Sequence, residues 1–213
     1  LNLNPILKTN SLSFSYTGSE VLSFPDFSIS KGEHSLISGN SGTGKTTLLH
    51  LMGGLLSISE GDVWVAGTSL SSLSKKALDS FRGKNIGFVF QQAAFIRSLN
   101  VVENVESAQY FGKGKVDRER AIGLLEKLGI EKYRNKKTNE LSGGERQRLS
   151  IARALSVSPE ILLADEPTSS LDDSNARKVY ELLVSEADAN GATLIVVTHD
   201  NRLKTEFKNC IEL

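Results

Sequence analysis

Eight consecutive residues, Gly39-Asn40-Ser41-Gly42-Thr43-Gly44-Lys45-Thr46, carry the spacing of a phosphate-binding loop. Its glycines let the backbone wrap closely around a phosphate without side-chain clash. Successive backbone N–H groups, and the N-terminus of a helix behind them, present positive potential to an anion. Lys45 is placed to reach β- and γ-phosphates, and the Thr46 hydroxyl to ligate Mg²⁺; Thr47, next in line, completes the phosphate-contacting stretch. A glycine-rich turn between a strand and a helix explains the glycines, but not Lys45-Thr46 at these offsets. A second constellation is Ile161-Leu162-Leu163-Ala164-Asp165-Glu166, four apolar residues ending in two carboxylates. A buried strand would hold Asp165 at the carboxyl edge of a sheet, where ligands bind in open α/β folds. There Asp165 would hold Mg²⁺ and Glu166 would act as general base on an attacking water. An acidic strand end near a helix start is the alternative; the phosphate loop upstream favours the metal.

The elements that must position these groups are legible in the patterning. His34–Ser38 reads as a strand entering the loop and Thr47–Met52 as the helix leaving it. Ile6–Tyr16 alternates apolar and polar, as a half-buried strand does, and Val21–Ile29 offers another after a turn at Thr17-Gly18-Ser19. Asp62–Val65 and Ile86–Phe90 are short apolar strands, with a helix expected over Lys75–Phe81 between them. From Val101 to Val157 the character is helical. Ala121, Ile122, Leu124, Leu125 and Leu128 recur at helical spacing and end at Gly129, a C-cap signal, and Ser142–Val157 is a further helix. Ile161–Ala164 and Thr193–Thr198 are continuous apolar runs, as buried parallel strands require. Ser174–Ala187 reads as a helix, Arg202–Phe207 as a short helix, and Cys210–Leu213 as a last strand. These readings predict an α/β fold: a mostly parallel core sheet, an antiparallel β-subdomain and an inserted α-helical subdomain over about 93–158, within a single domain spanning 1–213.

Composition bounds the function. The chain has 213 residues, 39% of them hydrophobic, enough for a sizeable core. Lys plus Arg and Asp plus Glu number 25 each, so no basic excess marks a nucleic-acid surface. The single cysteine, Cys210, excludes an internal disulfide and reads as a small buried hydrophobe. No apolar run approaches the roughly 18 residues of a membrane span. The opening Leu1-Asn2-Leu3-Asn4-Pro5 lacks the basic and apolar regions of a signal peptide, and the absence of an initiator Met reads as trimming.

Leu141-Ser142-Gly143-Gly144-Glu145-Arg146-Gln147-Arg148 adds the motif that points to a family. Ser142-x-x-Glu145 is a capping box, but capping alone does not ask for two glycines in a first turn, where they weaken a helix. With the phosphate loop upstream, the chain resembles an ATP-binding-cassette (ABC) nucleotide-binding domain, and the resemblance covers essentially its whole length. It is nearest to the short exporter-type cassettes of the LolD, FtsE and MacB group, through Ile86-Gly87-Phe88-Val89-Phe90-Gln91-Gln92 and Leu163-Ala164-Asp165-Glu166-Pro167-Thr168. Arg146 and Ser170 depart mildly from that group.

The resemblance implies an ATP-hydrolysing subunit that energises a separate membrane permease, of an exporter or lipoprotein-release type, from the cytoplasmic face of the membrane. It implies ATP and Mg²⁺ as cofactors, and two cassettes sandwiching ATP head to tail. Ser142, Gly143, Gly144 and Glu145 then serve the partner's nucleotide. Tyr16 matches the adenine-stacking aromatic, with a core strand tyrosine as the alternative. Gln91 matches the residue that senses Mg²⁺ and γ-phosphate, with Gln92 one place away. His199 matches the switch histidine, Ser169–Asp172 a dimer-contact loop, and Ala93–Phe111 the permease-facing surface; His34 and His50 read as structural. Two competitors remain: a cassette driving a non-transport membrane complex in cell division or cell-wall control, and a soluble DNA- or ribosome-associated ABC ATPase. The short interval from Lys45 to Ser142, the single Cys and the single cassette speak against the soluble types.

Overall fold

The structure, a computed structural model, describes residues 5–17, 20–92, 94–169 and 171–213. The expectations resting on Leu1–Asn4, Gly18-Ser19, Ala93 and Ser170 lie outside the described residues.

Two sheets form. The antiparallel one joins β1 (Leu7–Phe14), β2 (Leu22–Ser23), β3 (Ser28–Ile29), β5 (Glu60–Val65) and β6 (Thr68–Ser69). The parallel one comprises β4 (Ser35–Ser38), β7 (Ile86–Val89), β8 (Ile161–Asp165), β9 (Thr193–Thr198) and β10 (Asn209–Glu212), in the order β10-β4-β9-β8-β7. The inner strands β4, β8 and β9 are buried at every position, which is why their sequences are apolar without alternation.

Strand period two divides this sheet into two cores. Ile37, Ile161, Leu163, Ile195 and Val197 face Leu48, Leu49, Leu51 and Met52 of α1 (Lys45–Met52), with Leu7, Val63 and Val65 of the antiparallel sheet. Leu36, Leu162, Ala164, Leu194 and Val196 belong to the other core. That core takes Val101, Val102 and Val105 of α3 (Val101–Lys113) and Leu124 and Leu125 of α4 (Arg118–Lys127). It also takes Leu149, Ala152 and Leu155 of α5 (Gly143–Leu155) and Leu183 and Ala187 of α6 (Asp173–Ala189). In chain order α3, α4 and α5 all fall between the adjacent strands β7 and β8.

Register sets the site. Ser38 pairs with Thr198 and Asp165 with Val197, all in parallel strands. The segments leaving β4, β7, β8 and β9 therefore emerge at one carboxyl edge.

Several expectations are corrected. Val21–Ile29 is not one strand but β2 and β3, separated around Pro25, which has no N–H for a ladder. There the Asp26 carboxylate accepts the Ser11 N–H (2.6 Å) and the Thr9 hydroxyl donates to the Pro25 carbonyl (3.0 Å). The helix expected over Lys75–Phe81 continues to Asn85 as α2, and Gly83 within it packs so closely on Gly112 of α3 that a Cβ would meet the Gly112 Cα at 2.9 Å. Arg202–Phe207 is not a helix: only Asn201–Leu203 makes a 3₁₀ turn, a short segment that forms too few bonds to offset nucleation. Cys210 is exposed, because β10 is an edge strand and its side chain points outward.

Candidate nucleotide site

The phosphate loop begins where β4 ends. Gly42 (φ 88°) and Gly44 (φ 90°) stand in the left-handed region that disfavours other residues. At Gly39 a Cβ would meet the Leu213 carbonyl oxygen and Thr43 Oγ1, each at 2.8 Å. No side chain caps α1, so its first N–H groups face the loop's concavity, while Asn40, Ser41 and Gly42 are exposed. Lys45 is buried and its Nζ donates to the carbonyls of Gly39 (2.9 Å) and Asn40 (2.7 Å). The Thr43 hydroxyl also donates to the Asn40 carbonyl (3.1 Å). The ammonium thus sits inside the loop on acceptors that a phosphate oxygen could replace.

Thr46 donates its hydroxyl to Asp165 Oδ1 at 3.2 Å, joining the start of α1 to the end of β8. Burial pushes the Asp165 carboxyl above its usual range, partly offset by the Thr46 hydrogen bond. A buried carboxylate held by one hydroxyl is a site short of positive charge. Glu166 follows with a backbone in the left-handed region (φ 47°), rare for a residue with a Cβ. Its Oε1 lies 2.7 Å from His199 Nδ1 and accepts the His199 N–H at 3.1 Å; its Oε2 accepts the Thr198 hydroxyl at 2.7 Å.

Gln91 Nε2 donates to Ser169 Oγ (3.0 Å), whose proton goes to the Glu166 carbonyl (3.2 Å). Gln92 is exposed. Tyr16 lies beyond β1 and is not a core residue: it is 46% exposed, edge-on to Phe14, with its hydroxyl 3.2 Å from Thr47 Oγ1. An exposed aromatic face thus adjoins the phosphate loop.

Ser142 caps α5 as expected. Its Oγ accepts the Glu145 N–H (3.3 Å), and a Glu145 carboxylate oxygen accepts the Ser142 N–H (2.7 Å). That backbone bond, with the Tyr133 hydroxyl, holds Glu145 below the usual carboxylate range. Gly143 and Gly144 line a cleft of about 540 Å³ together with Gln91, Gln92, Glu166 and Ser169. None of residues 39–46 lines it. The chain therefore gathers Lys45, Thr46, Asp165, Glu166, His199 and Gln91 along one edge. It does not bring Ser142–Glu145 onto its own phosphate loop.

His34 is structural: Nδ1 accepts the Leu194 N–H (3.0 Å) and Nε2 faces Asp188 Oδ1 (3.0 Å). His50 lies edge-on near Phe90. Sequence reasoning missed the residues that hold the site. Thr198 binds Glu166, Thr168 donates to Asp200 Oδ2 (2.9 Å), and Arg202 joins Asp200 to the Leu171 carbonyl and Asp173. No local spacing signals these pairings, which apart from Arg202–Asp200 link segments about 30 residues apart in the chain.

A phosphate loop opening a helix beside a carboxylate-tipped parallel strand defines an ATP-hydrolysing α/β protein of the P-loop class. The profile of the ABC transporter family matches residues 22–169, and the chain belongs to this family. It is 40% identical over 201 residues to the lipoprotein-releasing system ATP-binding protein LolD 2 of Chlorobaculum tepidum, covering 91% of this chain and 81% of that protein. It is likewise 40% identical over 200 residues to LolD of Bacteroides thetaiotaomicron, covering 93% and 92%. Among solved structures it is similar to a dimeric post-hydrolysis state of the ATP-binding cassette MJ0796 bound to ADP and Pi (TM-score 0.86, 35% identity, 97% of this chain and 94% of that one). It is also similar to cbiO1 of Clostridium perfringens, part of the ABC transporter complex cbiONQ (TM-score 0.81, 31% identity, 92% and 79%). Both the α/β architecture and the ATPase subunit class anticipated from the motifs hold.

Proposed function

We propose that this ATPase energises a lipoprotein-releasing or related exporter through a separate membrane permease, from the cytoplasmic face of the membrane. Among the described residues no helix is long and apolar enough to cross a membrane, and in this reading the permease supplies the span. ATP binds with its adenine on Tyr16 and its phosphates over the 39–47 loop. Lys45 leaves the Gly39 and Asn40 carbonyls for the β- and γ-phosphates, and the backbone N–H groups at the start of α1 complete the cradle.

The residues present fit Mg²⁺. Thr46 Oγ1 and Asp165 Oδ1 are hard oxygens 3.2 Å apart, and Asp165 is a buried carboxylate lacking a full countercharge. Among the described residues no cluster of three His, Cys, Asp or Glu could cage a metal alone, which suits an ion that keeps waters and phosphate oxygens as its other ligands. When bound, the ion neutralises charge on the phosphate oxygens. Thr46, Asp165 and Gln91 would hold it. Glu166 orients the attacking water and takes its proton, and His199 contacts the γ-phosphate. The barrier is lowered by positioning and charge, not by a covalent intermediate.

Residues 1–213 then form one domain, with the helical subdomain, about 93–158, inserted in the core. Two cassettes then close head to tail, each lending Ser142–Glu145 to the other's ATP. The observation that carries the proposal is the convergence of Lys45-Thr46 with Asp165-Glu166 at one sheet edge. The test of the permease is to purify the full chain from solubilised membranes and measure ATPase with and without the co-purifying membrane protein. Substitutions within 94–111 are expected to abolish stimulation and leave basal turnover intact. Stimulation by DNA or ribosomes, with no membrane protein bound, would contradict it.

A further inference from the structure

The hydroxyl of Thr198 has only one way to point. Thr198 ends β9, is fully buried, and carries a β-branched side chain with restricted χ1. Its Oγ1 accepts the Asp200 backbone N–H at 2.9 Å, and an N–H can only donate. Its single proton is therefore free for Glu166 Oε2 at 2.7 Å, and an ionised carboxylate can only accept. The same logic puts a proton on His199 Nδ1, which faces Oε1 at 2.7 Å beside the His199 N–H at 3.1 Å. The two carboxylate oxygens are thus used unequally. Among the described residues Oε1 takes two donors, whereas Oε2 takes one and keeps a lone pair.

The backbone beneath makes this grip necessary. At φ 47° the Glu166 Cβ is crowded against the main chain, a conformation that persists only where surrounding contacts fix it. The Glu166 N–H is anchored on the Val197 carbonyl (2.8 Å), one residue before Thr198. Strand β9 therefore holds both ends of Glu166, the backbone through Val197 and the carboxylate through Thr198.

We infer that Thr198 is a positioning residue for hydrolysis: it fixes Glu166 so that the open lone pair of Oε2 receives the proton of the attacking water. In this reading Thr198 acts through Glu166. The inference rests on the reading of Glu166 as the base.

The test compares Thr198→Val, which keeps shape and loses the hydroxyl, with Thr198→Ser, which keeps the hydroxyl, in ATPase assays of the full chain. Thr198→Val is expected to lower kcat by about tenfold, the scale of one hydrogen bond to a charged group, with KM for ATP and nucleotide affinity within about twofold. Thr198→Ser restores most of kcat. Thr198→Ala repeats the deletion if the valine variant does not fold. In a Glu166→Gln background Thr198→Val is expected to add little, since the group it positions has lost its function. An unchanged kcat in Thr198→Val overturns the inference, and so does an equal tenfold loss in the Glu166→Gln background. Should Glu166→Gln alone turn over like the parent, the base assignment fails, and this inference with it.

Discussion

The glycines of the phosphate loop and those of the Ser142–Glu145 turn stand in opposite surroundings. Gly39 has no room for a Cβ, and Gly42 and Gly44 adopt left-handed backbone. All three are explained within the chain. Gly143 and Gly144 are exposed, lie outside the left-handed region, and among the described residues have nothing within 4 Å of where a Cβ would stand. Nothing in the chain itself asks for glycine there, and two glycines in a first turn weaken α5. The side chains differ in the same way. Lys45, Thr46 and Glu166 are each held by residues outside their own element, whereas Ser142 and Glu145 chiefly cap each other's backbone, with the Tyr133 hydroxyl adding to Glu145. One region is a half-site complete in a single chain. The other is a helix N-terminus kept bare for something outside it, which in the proposed function is the nucleotide of a second cassette.

The largest effect expected on this contrast comes from the complete half-site. Glu166→Gln keeps the shape of the side chain but removes the base, so turnover falls by about 10²- to 10⁴-fold while ATP affinity measured by titration survives. A parallel loss of affinity would mean that Glu166 is structural and the two regions differ less than proposed. Next, Lys45→Ala removes the only cation inside the loop among the described residues. Nucleotide affinity is expected to fall at least about tenfold in calorimetry, with turnover lost. Parental binding would show that the loop's backbone alone carries the phosphates.

A smaller effect concerns the brace behind the half-site. Arg202 holds the Asp200 carboxyl below its usual range, chiefly through its side-chain hydrogen bonds. A folded pKa below the unfolded one stabilises the fold at neutral pH, and that stability is lost as pH falls through the lowered value. Asp200→Asn is expected to cost about 1 kcal/mol at pH 7, allowing for solvent screening, with parent and variant converging below about pH 4. Thermal melts across that range check it; a constant difference would exclude the charge. The smallest effect separates the regions by sign. Gly144→Ala is expected to raise stability by roughly 0.5 kcal/mol, because alanine favours a helix and meets no neighbour, yet to lower ATPase. A variant that is both more stable and fully active would remove the reason for glycine.

How much of this the sequence discloses follows from how local each feature is. β4, β8 and β9 were legible because a strand buried on both faces must be apolar throughout. The phosphate loop, the Ser142 capping box and the Gly129 helix end are likewise local. The division into β2 and β3 was not, because the break between them depends on Thr9 and Asp26 side chains bonding across the antiparallel sheet. The outward position of Cys210 depends on which strand lies at the edge, a property of the whole sheet. The candidate catalytic residues could be named from motifs, but the residues that hold them could not. Thr198 and Glu166 are 32 positions apart, and Gln91 and Ser169 are 78 apart.

The central claim is that the bare Ser142–Glu145 helix start completes a second copy's phosphate loop. It is tested most directly by the association state of the Glu166→Gln chain with ATP, measured by sedimentation or on a sizing column. The account predicts a shift from monomer to dimer on adding ATP, and no shift when Ser142→Arg is also present, although that double variant still binds one ATP per chain through Lys45. ATP-driven dimers that form equally well with Ser142→Arg would contradict it.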